Sequence, residues 1–138
     1  MTYYVFMNKG GYMISPETVS ERRKDKRFKA GEGAFAVLYD DTNRVGSIID
    51  LSKKGLSFRY IDDGKKVDTA TQLAIIVKGQ GFYLRMITAC TVYDIEEKPA
   101  VPFSTIKMRK RGVKFGRLTN YQVALLRYFL QHFTIDEF

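Results

Sequence analysis

The chain has one cysteine, one histidine and no long apolar run, and each scarcity closes off a class of protein. With Cys90 alone there is no internal disulfide and no basis for a cysteine-built structural zinc site, which fits a reducing compartment. Cys90 stands in the apolar stretch Met86 to Tyr93 and reads as a small buried hydrophobe. Leu73 to Val77 is far short of the roughly 20 residues a helix needs to cross a bilayer, so no membrane insertion is expected. The first residues, Met1 to Met13, lack a basic n-region, and their apolar run stops by Met7. They resemble neither a signal peptide nor an anchor, and the cytoplasm is the expected location. Neither G-x-G-x-x-G nor a Walker A pattern occurs, which removes the dinucleotide fold and the P-loop.

Enzyme constellations are equally thin. His132 falls at the end of an expected helix, where the macrodipole favours an imidazolium, and no serine lies near it in sequence. The acidic pairs Asp40-Asp41, Asp62-Asp63 and Glu96-Glu97 fall at expected turns, where local hydrogen bonding favours Asp in particular. They could meet around a metal only with few nitrogen or sulfur ligands to help. The expectation is a protein that is not an enzyme and carries no metal or cofactor.

What the chain does have is positive charge and aromatic rings. Its 138 residues suit one ordinary domain, and 23 Lys and Arg against 15 Asp and Glu give a net charge of +8. That balance favours an anionic partner: a nucleic acid, a nucleotide or a membrane surface. The hydrophobic share of 45% and aromatic share of 14% are those of a chain that folds.

Periodicity points to an all-β body. Thr2 to Met7 reads as a short strand ended by Asn8-Lys9-Gly10-Gly11, and Tyr12 to Ser20 as a linker. Ala34 to Tyr39 is apolar on both alternating sets and forms a hairpin with Arg44 to Leu51 across the Asp40-Asp41-Thr42-Asn43 turn. Gly55 to Ile61 alternates, with Leu56, Phe58 and Tyr60 on one face. Gln72 to Lys78 and Phe82 to Tyr93 flank Gly79-Gln80-Gly81 as a second hairpin. Phe103 to Met108 and Gly112 to Phe115 bring the count to about seven short strands, as in an antiparallel barrel or sandwich. At the C-terminus, Thr119 and Gln122 form a capping box, and Val123, Leu126, Leu130 and Phe133 recur at helical spacing up to about His132.

Two stretches carry chemistry. Glu21 to Phe28, ERRKDKRF, is a cluster of guanidinium and ammonium groups that alone is most simply a solvated surface. Asp50 to Gly55, DLSKKG, follows a strand in which Asp50 and Ser52 point to one open side while Ile49 and Leu51 point to the core. Gly55 then permits close approach of a ligand. Taken alone, Asp50 and Ser52 read as a turn cap and Gly55 as a turn residue. Together the groups suit a guanine nucleotide. Arginine can bond the O6/N7 edge, stack on a base or neutralise phosphate, while a carboxylate accepts from guanine N–H donors.

In these residues the chain resembles the PilZ domain family of bacterial cyclic di-GMP receptors. The family's R-x-x-x-R motif is matched by Arg23-Lys24-Asp25-Lys26-Arg27, and its D/N-x-S-x-x-G motif by Asp50-Leu51-Ser52-Lys53-Lys54-Gly55. Arg111-Gly112-Val113-Lys114-Phe115 is similar to the family's late G-V-x-F strand. The resemblance implies a six-stranded antiparallel β-barrel with a C-terminal α-helix over residues 21–138, preceded by an N-terminal extension over 1–20. It implies that Arg23 and Arg27 clamp cyclic di-GMP from a flexible segment, with Asp50, Ser52 and Gly55 as the receiving platform. Arg22 resembles a residue of members that take up a stacked ligand dimer. Lys26 stands where many members carry proline.

The implied function is a signal-transducing receptor or adaptor whose arginine segment closes over the second messenger and relays it to a protein partner. Two other readings stand beside it. One is a basic β-barrel for single-stranded nucleic acid, drawing on Lys107-Met108-Arg109-Lys110-Arg111 and the aromatic side chains. The other is a protein adaptor of the same fold that binds no nucleotide.

Overall fold

The computed structural model describes residues 26–39, 44–65, 70–99 and 101–137. The expected strand at Thr2 to Met7, the linker after it, the boundary at residue 20, Arg22, Arg23 and the Asp40 to Asn43 turn lie outside those residues. In chain order the elements are β1 (Phe28–Ala30), β2 (Ala34–Tyr39), β3 (Val45–Leu51), β4 (Gly55–Ile61), β5 (Ala70–Val77), β6 (Phe82–Glu97), β7 (Met108–Phe115), a helix α1 (Asn120–His132) and β8 (Thr134–Glu137).

Six of these strands close into an antiparallel barrel. They run β2-β5-β6-β7-β4-β3, and β2 pairs β3 to shut the ring. The six-stranded antiparallel barrel with one C-terminal helix expected for this chain is the architecture that forms. Alternation supplies the core: Ala36, Leu38, Phe58, Leu73, Ile75, Leu84 and Ile87 are buried inside the ring. Closure leaves the six barrel strands without the open edge that flat sheets must protect.

The helix begins with the expected capping box. Gln122 N donates to Thr119 Oγ1 at 3.1 Å and Thr119 N donates to Gln122 Oε1 at 2.9 Å. Gln122 also docks the helix, because its Nε2 donates to the carbonyls of Arg85 and Met86 at 3.0 and 3.1 Å. Met86 has φ 62° at a register break in the β5–β6 ladder, which turns those carbonyls outward. The buried stripe is Leu126 and Phe129, flanked by Leu130 and Phe133, whereas Val123 is exposed. Phe129 and Phe133 meet Phe82 edge-on at 5.6 and 5.4 Å between ring centres.

The strand pattern departs from expectation at several places. Phe103 to Met108 is not a strand: only Met108 is, and β7 runs from there to Phe115. β6 continues four residues past Tyr93, so Glu96 and Glu97 end a strand instead of forming a turn. Cys90 is exposed, because alternation along β6 buries Ala89 and turns Cys90 outward. Two short strands went unread. β1 pairs β3, with Phe28 opposite Leu51 and Lys29 opposite Asp50, and β8 pairs β1 on its other side.

The bulkiest of the fully buried side chains is a cation, Arg111 on β7. Its Nε donates to Asp94 Oδ2 at 3.0 Å, and the guanidinium lies over the Tyr60 ring at 5.4 Å. Arg109 Nε donates to the other oxygen, Asp94 Oδ1, at 2.5 Å, and the Tyr60 hydroxyl donates to Oδ2. Burial alone would raise the Asp94 carboxyl; the hydrogen bonds from Tyr60, Arg109 and Arg111 outweigh it and hold the group below its ordinary value. Arg44 joins the same end of the barrel, donating to Asp63 at 3.2 Å and to the Lys65 carbonyl at 2.9 Å.

Candidate functional site

The second expected motif sits where β3 turns into β4. β3 carries an extra residue there: Ile48 faces Phe58 and Asp50 faces Ser57, so Ile49 has no partner of its own. This bulge changes the alternation. Ile48 and Leu51 both point to the core, and Ile49, expected there, is only half-buried. Asp50 is turned toward β1.

The turn itself is held from both sides. Ser52 N donates to the Gly55 carbonyl at 2.8 Å, Lys54 N donates to Ser52 Oγ at 3.1 Å, and Phe115 N donates to the Lys54 carbonyl at 2.7 Å. Ser52 is therefore buried, with its hydroxyl accepting inside the turn, and does not stand on an open face. Gly55 is buried as well. A Cβ there would lie 2.2 Å from the Val113 carbonyl oxygen, so the close approach that demands glycine is that of β7. Lys53 and Lys54 are exposed at the tip.

Arg27 immediately precedes β1, and the β1–β3 register sets it beside Asp50. Its Nε and one terminal nitrogen donate to Asp50 Oδ1 at 2.9 and 2.5 Å. The two side chains keep 28% and 17% exposure, so the pair is wetted and open on one side. Both bonds fall on Oδ1. The arrangement offers a half-buried guanidinium and a carboxylate side by side, with two exposed lysines on the adjoining turn. A group presenting both N–H donors and acceptor edges, or a phosphate, could engage it.

Of the site residues expected from sequence, the structure brings together Arg27 and Asp50, and places Ser52 and Gly55 under them as the frame of the turn. Sequence reading missed β1, whose pairing makes the juxtaposition; the alternation of Phe28 and Ala30 around Lys29 is its only local trace. A cleft of about 290 Å³ lies along Gly31, Glu32, Lys78, His132 and Thr134, and none of Arg27, Asp50, Ser52 and Gly55 lines it. His132 is exposed and packs on Tyr128, with ring centres 4.2 Å apart. Among the described residues no three His, Cys, Asp or Glu side chains gather as they would around a metal, and no helix is long and apolar enough to cross a membrane.

A closed six-stranded barrel finished by a C-terminal helix, with an arginine leading into it against the β3–β4 turn, defines a PilZ-type architecture. Among solved structures the chain is similar to the PilZ domain of YcgR from Escherichia coli, determined with c-di-GMP. The TM-score is 0.61, over 81% of this chain and 91% of that one, at 16% sequence identity. Likeness at that identity shows the fold. No protein-family model and no curated protein matches the chain.

Proposed function

We propose that this chain is a cyclic di-GMP receptor: a binding module, not an enzyme, acting in bacterial second-messenger signalling. The observation that carries the reading is the Arg27–Asp50 pair, which joins the last residue of one expected motif to the first of the other across 23 positions of sequence. Arg27 supplies donors to a guanine edge or a phosphate, and Asp50 supplies an acceptor for guanine N–H groups. Ser52 and Gly55 act one step back, by fixing the turn that aims Asp50. Arg23 completes the clamp, and Arg22 takes part when the ligand enters as a stacked dimer.

Closing of the arginine segment over the ligand reshapes the surface beside β1, which a protein partner then reads. The fold of the neighbour solved with c-di-GMP supports this assignment.

Isothermal titration with cyclic di-GMP tests it directly. Heat on binding and a raised thermal midpoint are expected, and the absence of both rejects the reading. Arg27→Ala and Arg23→Ala should each weaken binding by about tenfold or more, given that hydrogen bonds to charged groups contribute roughly 1.5–3 kcal/mol. Lys65→Ala, at an exposed turn, should leave it unchanged. Equal weakening by all three would assign the binding to bulk charge. Arg22→Ala should lower the number of ligands bound per chain.

A further inference from the structure

The connection between β6 and β7 contains a tight turn. Ser104 N donates to the Val101 carbonyl at 3.3 Å, with Pro102 in the second position and Phe103 in the third at φ 68°. Proline second and a positive φ third are the marks of a type II turn, whose third residue is ordinarily glycine or asparagine. A phenylalanine there works against the backbone. Its side chain gains nothing in return from the fold, because Phe103 is 102% exposed. Val101 and Ile106, in the same tip, are 64% and 58% exposed. Local geometry and core packing both leave this cluster unexplained, and an outlier of that kind points outward, to a partner.

Charge selects the partner. Residues 98–107, KPAVPFSTIK, include no acid, and exposed Lys98 and Lys107 bracket the apolar tip. Most acids beneath the tip face arginines: Glu97 accepts from Arg59 at 2.5 and 3.1 Å, Asp94 from Arg109 and Arg111, and Asp62 lies 3.6 Å from Arg109, while Glu96 is exposed. The tip is thus an apolar wedge in a basic collar, on a chain of net charge +8. A wedge of three side chains on a narrow loop offers little of the broad matched area that a stable protein interface buries. A lipid surface needs no matched shape; it takes apolar side chains at the headgroup boundary and attracts lysines held beside it.

We infer that the 101–107 tip docks on the surface of an anionic bilayer, with Phe103 seated among the headgroups and Lys98 and Lys107 against their phosphates. The tip lies at the Ile61 end of β4, where Asp62 N donates to the Lys107 carbonyl at 2.8 Å, and Asp50 lies beside the other end. Docking therefore leaves the Arg27–Asp50 site open to solvent.

The chain has no tryptophan, so Phe103→Trp places a single reporter at the tip. Phosphatidylcholine vesicles containing phosphatidylglycerol should shift its emission to the blue, and phosphatidylcholine vesicles alone should not. A control, Tyr121→Trp on the exposed start of α1, should show no shift with either. In co-sedimentation with the anionic vesicles, Phe103→Ser and Lys98→Glu/Lys107→Glu should each weaken binding at least tenfold. Phe103→Gly should do the same while raising the thermal midpoint, because glycine suits the turn.

No blue shift, an equal shift for the Tyr121→Trp control, or binding indifferent to Phe103→Ser overturns the inference. So does vesicle-independent self-association that requires Phe103, which would make the tip an interface between two copies.

Discussion

β4 joins two arginine–carboxylate sites that use the same side chains for opposite ends. Beside its first residues, Arg27 meets Asp50 with 28% and 17% of the side chains exposed. Near its last, Arg111 meets Asp94 with 0% and 10% exposed, and Asp94 also accepts from Tyr60 and Arg109. Arg27 leads into a three-residue strand, while Arg111 sits in β7 with strands hydrogen-bonded on both sides. A pair sealed inside a barrel cannot change partners without exposing an unpaired charge to an apolar interior, and that is costly. A wetted pair on a short strand can. Burial, not residue type, separates the pair that braces the fold from the pair proposed to meet a ligand.

The strongest way to break this comparison is Asp94→Ala. Removing one partner of a buried pair and stranding the other costs about 3–5 kcal/mol, so urea unfolding should show a loss of that order. A loss below about 1 kcal/mol would mean that the buried network does not brace the barrel. Gly55→Ala comes next. A methyl group 2.2 Å from the Val113 oxygen must push β4 from β7, and overpacking of that kind costs about 1–3 kcal/mol. The same denaturation midpoint reports it, and wild-type stability would show that the turn has room for a side chain after all.

Acid sharpens the contrast further. The folded Asp94 carboxyl sits below its ordinary value of about 3.9, so in acid the unfolded chain takes up this proton before the folded one does. The stabilising contribution is whole above about pH 4 and is lost as the pH falls from there through the folded value. Unfolding free energies measured from about pH 5 to about pH 3 should fall steeply for the wild type and less steeply for Asp94→Asn. Parallel slopes would remove Asp94 from the acid response. The smallest effect belongs to Arg27→Ala: about 1 kcal/mol of stability or less, as for pairs open to solvent, although the proposed cyclic di-GMP binding should weaken about tenfold or more. A stability loss as large as that of Asp94→Ala would erase the distinction.

Much of the barrel was legible because apolar and aromatic runs of strand length along β2 to β6 are bounded by turn residues, which also announced both hairpins. The capping box gave the helix its first turn. What failed depends on contacts distant in sequence. β1 and β8 are short and take their strand geometry from each other and from β3, so neither has a period to read. The bulge at Ile49 exchanged one core isoleucine for its neighbour, and a bulge shows only when the partner strand is in view.

The alternative reading, a barrel for single-stranded nucleic acid, draws on a basic run that includes Arg109 and Arg111, yet Arg111 is fully buried and both bond Asp94. One signal was available: Arg111 shares its alternate set with Val113 and Phe115, both core residues. Of the expected site residues, Arg27 and Asp50 lie in contact, the Ser52 hydroxyl accepts within the turn and Gly55 packs against β7.

The position of β1 has a mechanical consequence. Among the described residues β8 is joined to the sheet through β1 alone, with Phe28 opposite Glu137 on one side and Leu51 on the other. Three residues thus act as a pin between the start of the barrel and the tail that follows the helix. A pull on Arg27 bears on that pin, and β3 on one side and the tail on the other share the load.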